Sequence, residues 1–158
     1  MAIAIRTPKE IEKIREANRV VAKTLDFLRG EAKSGVSLKE LDKKGEEFIR
    51  GLGATPSFKN LYGFPSAVCL SLNQVIIHGV PYDYRLQEGD ILGIDLGANV
   101  DGWYGDGAIT VGIGEISKED QSLIDCAKDT LSYAVSIVKD GMRFKELKIG
   151  RASCRERV

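Results

Sequence analysis

The stretch Asp90–Gly112 constrains this chain more tightly than any other. Ile91-Leu-Gly-Ile-Asp-Leu-Gly-Ala-Asn-Val100 and Trp103-Tyr-Gly-Asp-Gly-Ala-Ile-Thr-Val111 are both β-prone, and Asp101-Gly102 lies between them. Asp-Gly between two such runs is the strongest short-range signal for a hairpin with a two-residue turn. Pairing across that turn puts Val100 opposite Trp103, Gly97 opposite Asp106 and Asp95 opposite Ala108. Directly paired residues share a face of the sheet, and so do residues two apart on one strand. Asp95 and Asp106 therefore point to the same side as diagonal neighbours, with backbones roughly 7–8 Å apart. A bulge at the turn would break this parity.

Two carboxylates so placed are within reach of a common ion or ion pair. Asp95 sits between Ile94 and Leu96 in a run patterned for burial, and a buried carboxylate without a partner is costly. Two like charges this close also oppose each other's ionisation. A divalent cation answers both problems, because it favours the ionised form of each ligand. Spacing alone leaves two plainer readings open: an internal salt bridge for Asp95, and an ordinary turn residue for Asp106 beside Gly105 and Gly107. His78 is the only histidine. It closes the β-branched run Val75-Ile-Ile, predicted as a strand, and precedes Gly79 and Pro81 where a strand end opens to a loop.

The flanking segments read as scaffold. Thr7-Pro8-Lys9-Glu10 combines an N-cap, a proline at the first helical position and a glutamate three residues on. Ile11, Ile14, Val21, Leu25 and Leu28 then recur at helical spacing. Ser37-Leu-Lys-Glu40 opens a second helix, with Leu41 and Phe48-Ile49 on its apolar side and Gly51 and Gly53 at its end. Thr55–Leu61 reads as loop, and Ala67–Leu72 as a strand. Ser117-Lys-Glu-Asp120 caps a third helix whose buried side is predicted to carry Leu123, Ile124, Ala127, Leu131, Ala134 and Val138. A fourth is expected to begin at Phe144–Leu147.

The 158 residues suffice for one domain with a core. Lys plus Arg and Asp plus Glu both number 23, which argues against a duplex-binding surface. No apolar stretch has the length of a membrane span or of a secretion signal. Cys69, Cys126 and Cys154 form no CxxC pair, and an odd count without a secretion signal reads as reduced thiols in a soluble, cytoplasmic protein.

Several of these segments together resemble one family. Ser71-Leu-Asn-Gln-Val-Ile-Ile-His-Gly-Val-Pro81 is similar to a stretch of type I methionine aminopeptidases that ends in His-Gly-Ile-Pro. Gly89-Asp-Ile-Leu-Gly-Ile-Asp95 with Asp101-Gly-Trp-Tyr-Gly-Asp106 resembles the segment that supplies the first two metal-binding aspartates. Thr7–Arg15 resembles the opening helix, and Pro56-Ser-Phe58 with Tyr62-Gly-Phe-Pro65 resembles the loop lining the methionine pocket. The likeness runs colinearly from about Ile5 to Leu147. It departs at Gly107-Ala108, where the family usually has a hydroxyl residue next, and at Asn60, where glycine is common.

The resemblance implies the α/β (α+β) pita-bread fold, two pseudo-symmetric halves around an antiparallel sheet with flanking helices, of which residues 1–147 would form the N-terminal half. It implies two divalent metal ions, with Asp95 chelating one and Asp106 bridging both. His78 would lie outside the metal shell and hydrogen-bond substrate near the scissile amide. Phe58, Leu61 and Phe64 would line the methionine pocket, and the backbone at Asn73 and Val75 would hold a monovalent cation, sodium or potassium. The implied reaction is metal-assisted hydrolysis of the first peptide bond of nascent chains that begin with Met and a small residue. The donor set admits Co, Mn, Fe or Zn. The implied protein is a monomer with the ribosome as a candidate partner.

The family's other ligands, a His and two Glu, come from its second half, so the chain by itself is expected to have little or no peptidase activity. Lys148–Val158 fits no helix or strand pattern and reads as a non-native tail, the translation of a sequencing adapter. The rivals are a proline-directed peptidase of the aminopeptidase P or prolidase type, and a pita-bread binding module without catalysis.

Overall fold

In the computed structural model, which describes residues 4–143, the hairpin forms in the register that the sequence predicts. β3 (Ile91–Val100) and β4 (Trp103–Gly112) pair without a bulge, from Val100 opposite Trp103 to Ile91 opposite Gly112. Asp101 and Gly102 both have positive φ, 49° and 83°, as a type I′ turn between right-twisted strands requires. Asn99 Oδ1 accepts from the Gly102 amide at 2.8 Å and fixes the turn from inside.

Because β4 takes one edge of β3 along its whole length, the other partners share the opposite edge. There β2 (Val68–Leu72) sets Cys69 opposite Asp95 and Ser71 opposite Gly93. The two-residue β1 (Thr55–Pro56) pairs with Asn99 and Ala98. Alternation along the strands then separates two faces. Leu92, Ile94, Leu96 and Ala98 share one face with Val68, Leu70 and Leu72, and all are buried. Cys69, Ser71, Asp95, Gly97, Asp106 and Ala108 share the other.

Two helices close the apolar face. α1 (Pro8–Glu31) starts at the Thr7 capping box, in which Glu10 N donates to Thr7 Oγ1 and Thr7 N donates back to Glu10 Oε2. α2 (Leu38–Gly51) starts where the Ser37 hydroxyl accepts from Glu40 N. Val20, Val21, Leu25 and Leu28 of α1 join Leu38, Leu41 and Ile49 of α2 in one cluster with the buried strand residues. Burying each such side chain contributes about 1.5–3 kcal/mol. Asp42 of α2 accepts from the amides of Ala67 and Val68 at 2.9 Å each, tying the start of β2 to the helix.

The chain divides into two compact units, Met1–Glu115 and Ile116–Val158. In the second, α3 (Lys118–Ile137) is capped by the Ser117 hydroxyl, which accepts from Asp120 N. Of the residues predicted on its buried side, only Ile124 is buried, and Leu123, Leu131 and Val138 are exposed. The amphipathic period locates a stripe without supplying its partner. The predicted fourth helix and the tail Lys148–Val158 lie outside the described residues.

Two other expectations fail. Val75–His78 is not a strand. Ile76 and Ile77 are 91% and 65% exposed, and among the described residues no strand pairs with their β-branched run. The reduced-thiol reading holds for Cys69, which is free and buried, but Cys126 is disulfide-bonded. No described helix is long and apolar enough to cross a membrane.

Candidate metal centre

The hairpin register puts Asp95 and Asp106 diagonally on the face of the sheet turned away from the helices. Asp95 Oδ1 is buried and has no hydrogen-bond partner among the described residues. Burial pushes the Asp95 carboxyl above the usual carboxylate range, the negative charge of Asp106 pushes it further, and His78 pulls the other way. A buried acceptor left unpaired costs about 1–3 kcal/mol, so this atom calls for a partner that the described residues do not supply. Asp106 is exposed, and its amide donates to Asn18 Oδ1 of α1 at 3.4 Å. Orphaned oxygen, second carboxylate and hard oxygen donors together fit a divalent cation. They make only part of a ligand shell: among the described residues no three His, Cys, Asp or Glu side chains are grouped to hold a metal.

Cys69, the direct cross-strand neighbour of Asp95, links this face to a cavity of about 460 Å³. Phe58, Leu61, Phe64 and His78 all line the cavity, together with Tyr62, Pro65, Cys69 and Val80. Burial and then the charges of Asp95, Asp106 and Asp42 push the Cys69 thiol up to about 11, so it is a neutral wall residue at neutral pH. Phe58 reaches the sheet because Gly97 has no side chain; a Cβ there would collide with Ser57 and lie 2.9 Å from the Phe58 ring.

His78 is exposed, with φ of 55°. Its neighbour Gly79 is held against β2, with its carbonyl accepting from Leu70 N at 2.8 Å and its amide donating to Ser71 Oγ at 3.1 Å. Asn73 and Val75 lie on the turn after β2. The Asn73 side chain donates to Asp90 and accepts from Ile91 N, and the Val75 amide donates to Leu72 O at 3.0 Å.

Sequence reasoning missed Cys69, Val80 and Ser71. The first two follow only from the β2–β3 register and the course of the loop after it, neither of which a local pattern encodes.

The chain matches the model of metallopeptidase family M24 over residues 12–152. It is 55% identical over 147 residues to a methionine aminopeptidase of Helicobacter pylori strain J99, covering 93% of this chain and 58% of that protein. It is 40% identical over 145 residues to methionine aminopeptidase 1 of Bacillus subtilis, covering 92% and 58%. Among solved structures, the methionine aminopeptidase of Rickettsia prowazekii superposes with a TM-score of 0.95 at 33% identity, over 98% of this chain and 62% of that one. The prolidase of Pyrococcus furiosus superposes with a TM-score of 0.85 at 28% identity, over 96% and 44%. The chain thus spans less than two thirds of the length of these relatives, and its antiparallel sheet with flanking helices is about half of their shared α/β pita-bread fold. It belongs to metallopeptidase family M24.

Proposed function

We propose that this chain is the N-terminal part of a methionine aminopeptidase, which hydrolyses the first peptide bond of polypeptides that begin with methionine. The orphaned, buried Oδ1 of Asp95 beside Asp106 carries the reading. A carboxylate held in a costly state on an open sheet face fits a site built for an ion that arrives from outside the chain.

Asp95 and Asp106 would hold divalent ions drawn from Co, Mn, Fe and Zn. Ions bound there would acidify a water for attack on the peptide carbonyl and stabilise negative charge on its oxygen. The apolar, partly aromatic cavity walled by Phe58, Leu61 and Phe64 suits a thioether side chain, which gains from sulfur–aromatic contacts. His78, on the cavity wall, is in place to hydrogen-bond the substrate amide near the scissile bond. The turn at Asn73 and Val75 is proposed to hold sodium or potassium on its backbone carbonyls. Substrates would be nascent chains with a small second residue, met in the cytoplasm and at the ribosome by a monomer of the longer protein. We read Lys148–Val158 as a non-native tail and residues 1–147 as the native part of the domain.

The remaining ligands would come from the part of the fold that the relatives have beyond this length. The chain by itself should therefore bind divalent ions weakly and turn over little or nothing. A Met-Ala-Ser peptide assayed with Co²⁺ or Mn²⁺ tests this directly: turnover at the rate of a longer relative contradicts the partial-site reading. In a protein extended to the relatives' length, cleavage of Met-Ala-Ser but not of an Xaa-Pro peptide separates the methionine enzyme from the prolidase type. No cleavage of either, with no metal bound, would favour a non-catalytic module.

A further inference from the structure

We infer that Ser71 is a positioning residue for His78, acting through the amide of Gly79; the inference rests on the proposed role of His78 at the substrate amide. His78 has φ of 55°, a conformation that a side-chain-bearing residue rarely holds without help from its surroundings. The help comes from the next residue. Gly79 lies so close to β2 that a Cβ on it would collide with the Leu70 carbonyl. Both of its backbone groups are used: its carbonyl accepts from Leu70 N at 2.8 Å, and its amide donates to Ser71 Oγ at 3.1 Å. The first bond needs only a backbone N–H and would form with any residue but proline at position 70. The second needs a hydroxyl at position 71.

Ser71 is 9% exposed, and the Gly79 amide is buried with it. Without the hydroxyl that amide would stay unpaired or call in water, and either outcome loosens the peptide that sets the direction of His78. Ser71 also lies on the face of Asp95, two residues along β2 from Cys69. The same strand therefore sets the cavity wall, the neighbour of the aspartate and the anchor of the histidine. Gly93 opposite Ser71 adds no side chain there, and Ser71→Thr keeps the acceptor while Ser71→Ala removes it.

His78 is the only histidine, so its ring gives a single, unambiguous set of NMR signals in the 158-residue chain. Three measurements on wild type, Ser71→Ala and Ser71→Thr test the inference: exchange of the Gly79 amide, the order of the His78 ring seen in its NMR signals, and shifts of the Phe58 and Phe64 signals on adding methionine amide. Ser71→Ala should speed Gly79 exchange about tenfold, the scale of one lost buried hydrogen bond, and lower the order of the His78 ring. Ser71→Thr should stay within about twofold of wild type on both readouts. A Ser71→Ala chain indistinguishable from wild type overturns the inference, and so does a Ser71→Thr chain as perturbed as Ser71→Ala, which would mark a packing role only. If Ser71 behaves as expected but methionine amide leaves the cavity signals unmoved in a protein extended to the relatives' length, the substrate reading fails, and the functional role of Ser71 with it.

Discussion

Two aspartates five residues apart in sequence, Asp90 and Asp95, meet burial in opposite ways. Asp90 is 7% exposed, and burial alone would raise its pKa. Three donors outweigh that: Asn73 Nδ2 at 2.9 Å, Gln87 N at 2.8 Å and the Tyr84 hydroxyl at 3.0 Å hold the carboxyl below its ordinary value. Asp95 has a buried oxygen with no donor at all, and its pKa is raised. The protein can satisfy a carboxylate in this part of the sheet, since it does so at the foot of β3, and half a strand further along it does not. An unsatisfied buried group that persists beside a satisfied one points to a function rather than to a flaw of packing.

The largest effect that could break this contrast is on metal binding. In a protein extended to the relatives' length, Asp95→Asn or Asp106→Ala should weaken Mn²⁺ or Co²⁺ binding by at least about 100-fold, or some 2.7 kcal/mol, in calorimetric titration. Asp90→Asn should leave it within about threefold. Next comes stability: Asp90→Ala strands three donors and should cost about 3 kcal/mol in urea unfolding. Asp95→Asn in the metal-free chain should do the reverse and stabilise by about 1 kcal/mol at neutral pH, because an amide in that place need not be ionised.

The smallest effect is the pH dependence, whose sign differs between the two groups. Asp90 has a folded pKa below its unfolded one, so its contribution is present above the unfolded value and is lost as pH falls through the folded value. Asp95 has a folded pKa above its unfolded one, so its contribution is present below the unfolded value and is lost as pH rises through the folded value. Asp90→Asn should flatten the acid limb of the stability curve, and Asp95→Asn should remove the loss on the way to neutrality. Urea midpoints taken across acid to neutral pH measure both. Changes in slope of the same sign, each variant taken relative to wild type, would contradict the contrast.

What could be read from sequence follows the same division. The β3–β4 hairpin was legible because a two-residue turn fixes register, and register fixes which side chains share a face; Asp95 and Asp106 needed nothing more. The role of Asp90 was hidden. Its donors come from Asn73, Tyr84 and Gln87, which the loop after β2 brings together and no period marks. Val75-Ile-Ile looked like a strand because β-branching is a local property, whereas a strand needs a neighbour. Phe58, Leu61 and Phe64 were placed at a pocket by resemblance alone, since the left-handed residues Asn60 and Tyr62 that shape that loop give no pattern that spacing can detect. By sequence Ser71 is one more strand residue, because the Gly79 amide that its hydroxyl accepts from comes from the loop after β2.

Thermal unfolding of wild type and Asp95→Asn, each with and without Mn²⁺ at neutral pH, tests the central claim most directly. A ligand at 100 times its dissociation constant stabilises the state it binds by about 2.7 kcal/mol. Saturating Mn²⁺ should therefore raise the midpoint of the wild-type chain and leave that of Asp95→Asn unmoved, with the variant the more stable of the two when no metal is present. Equal shifts in both proteins, or a shift in neither, would contradict the claim that the unpaired oxygen of Asp95 is there for a cation.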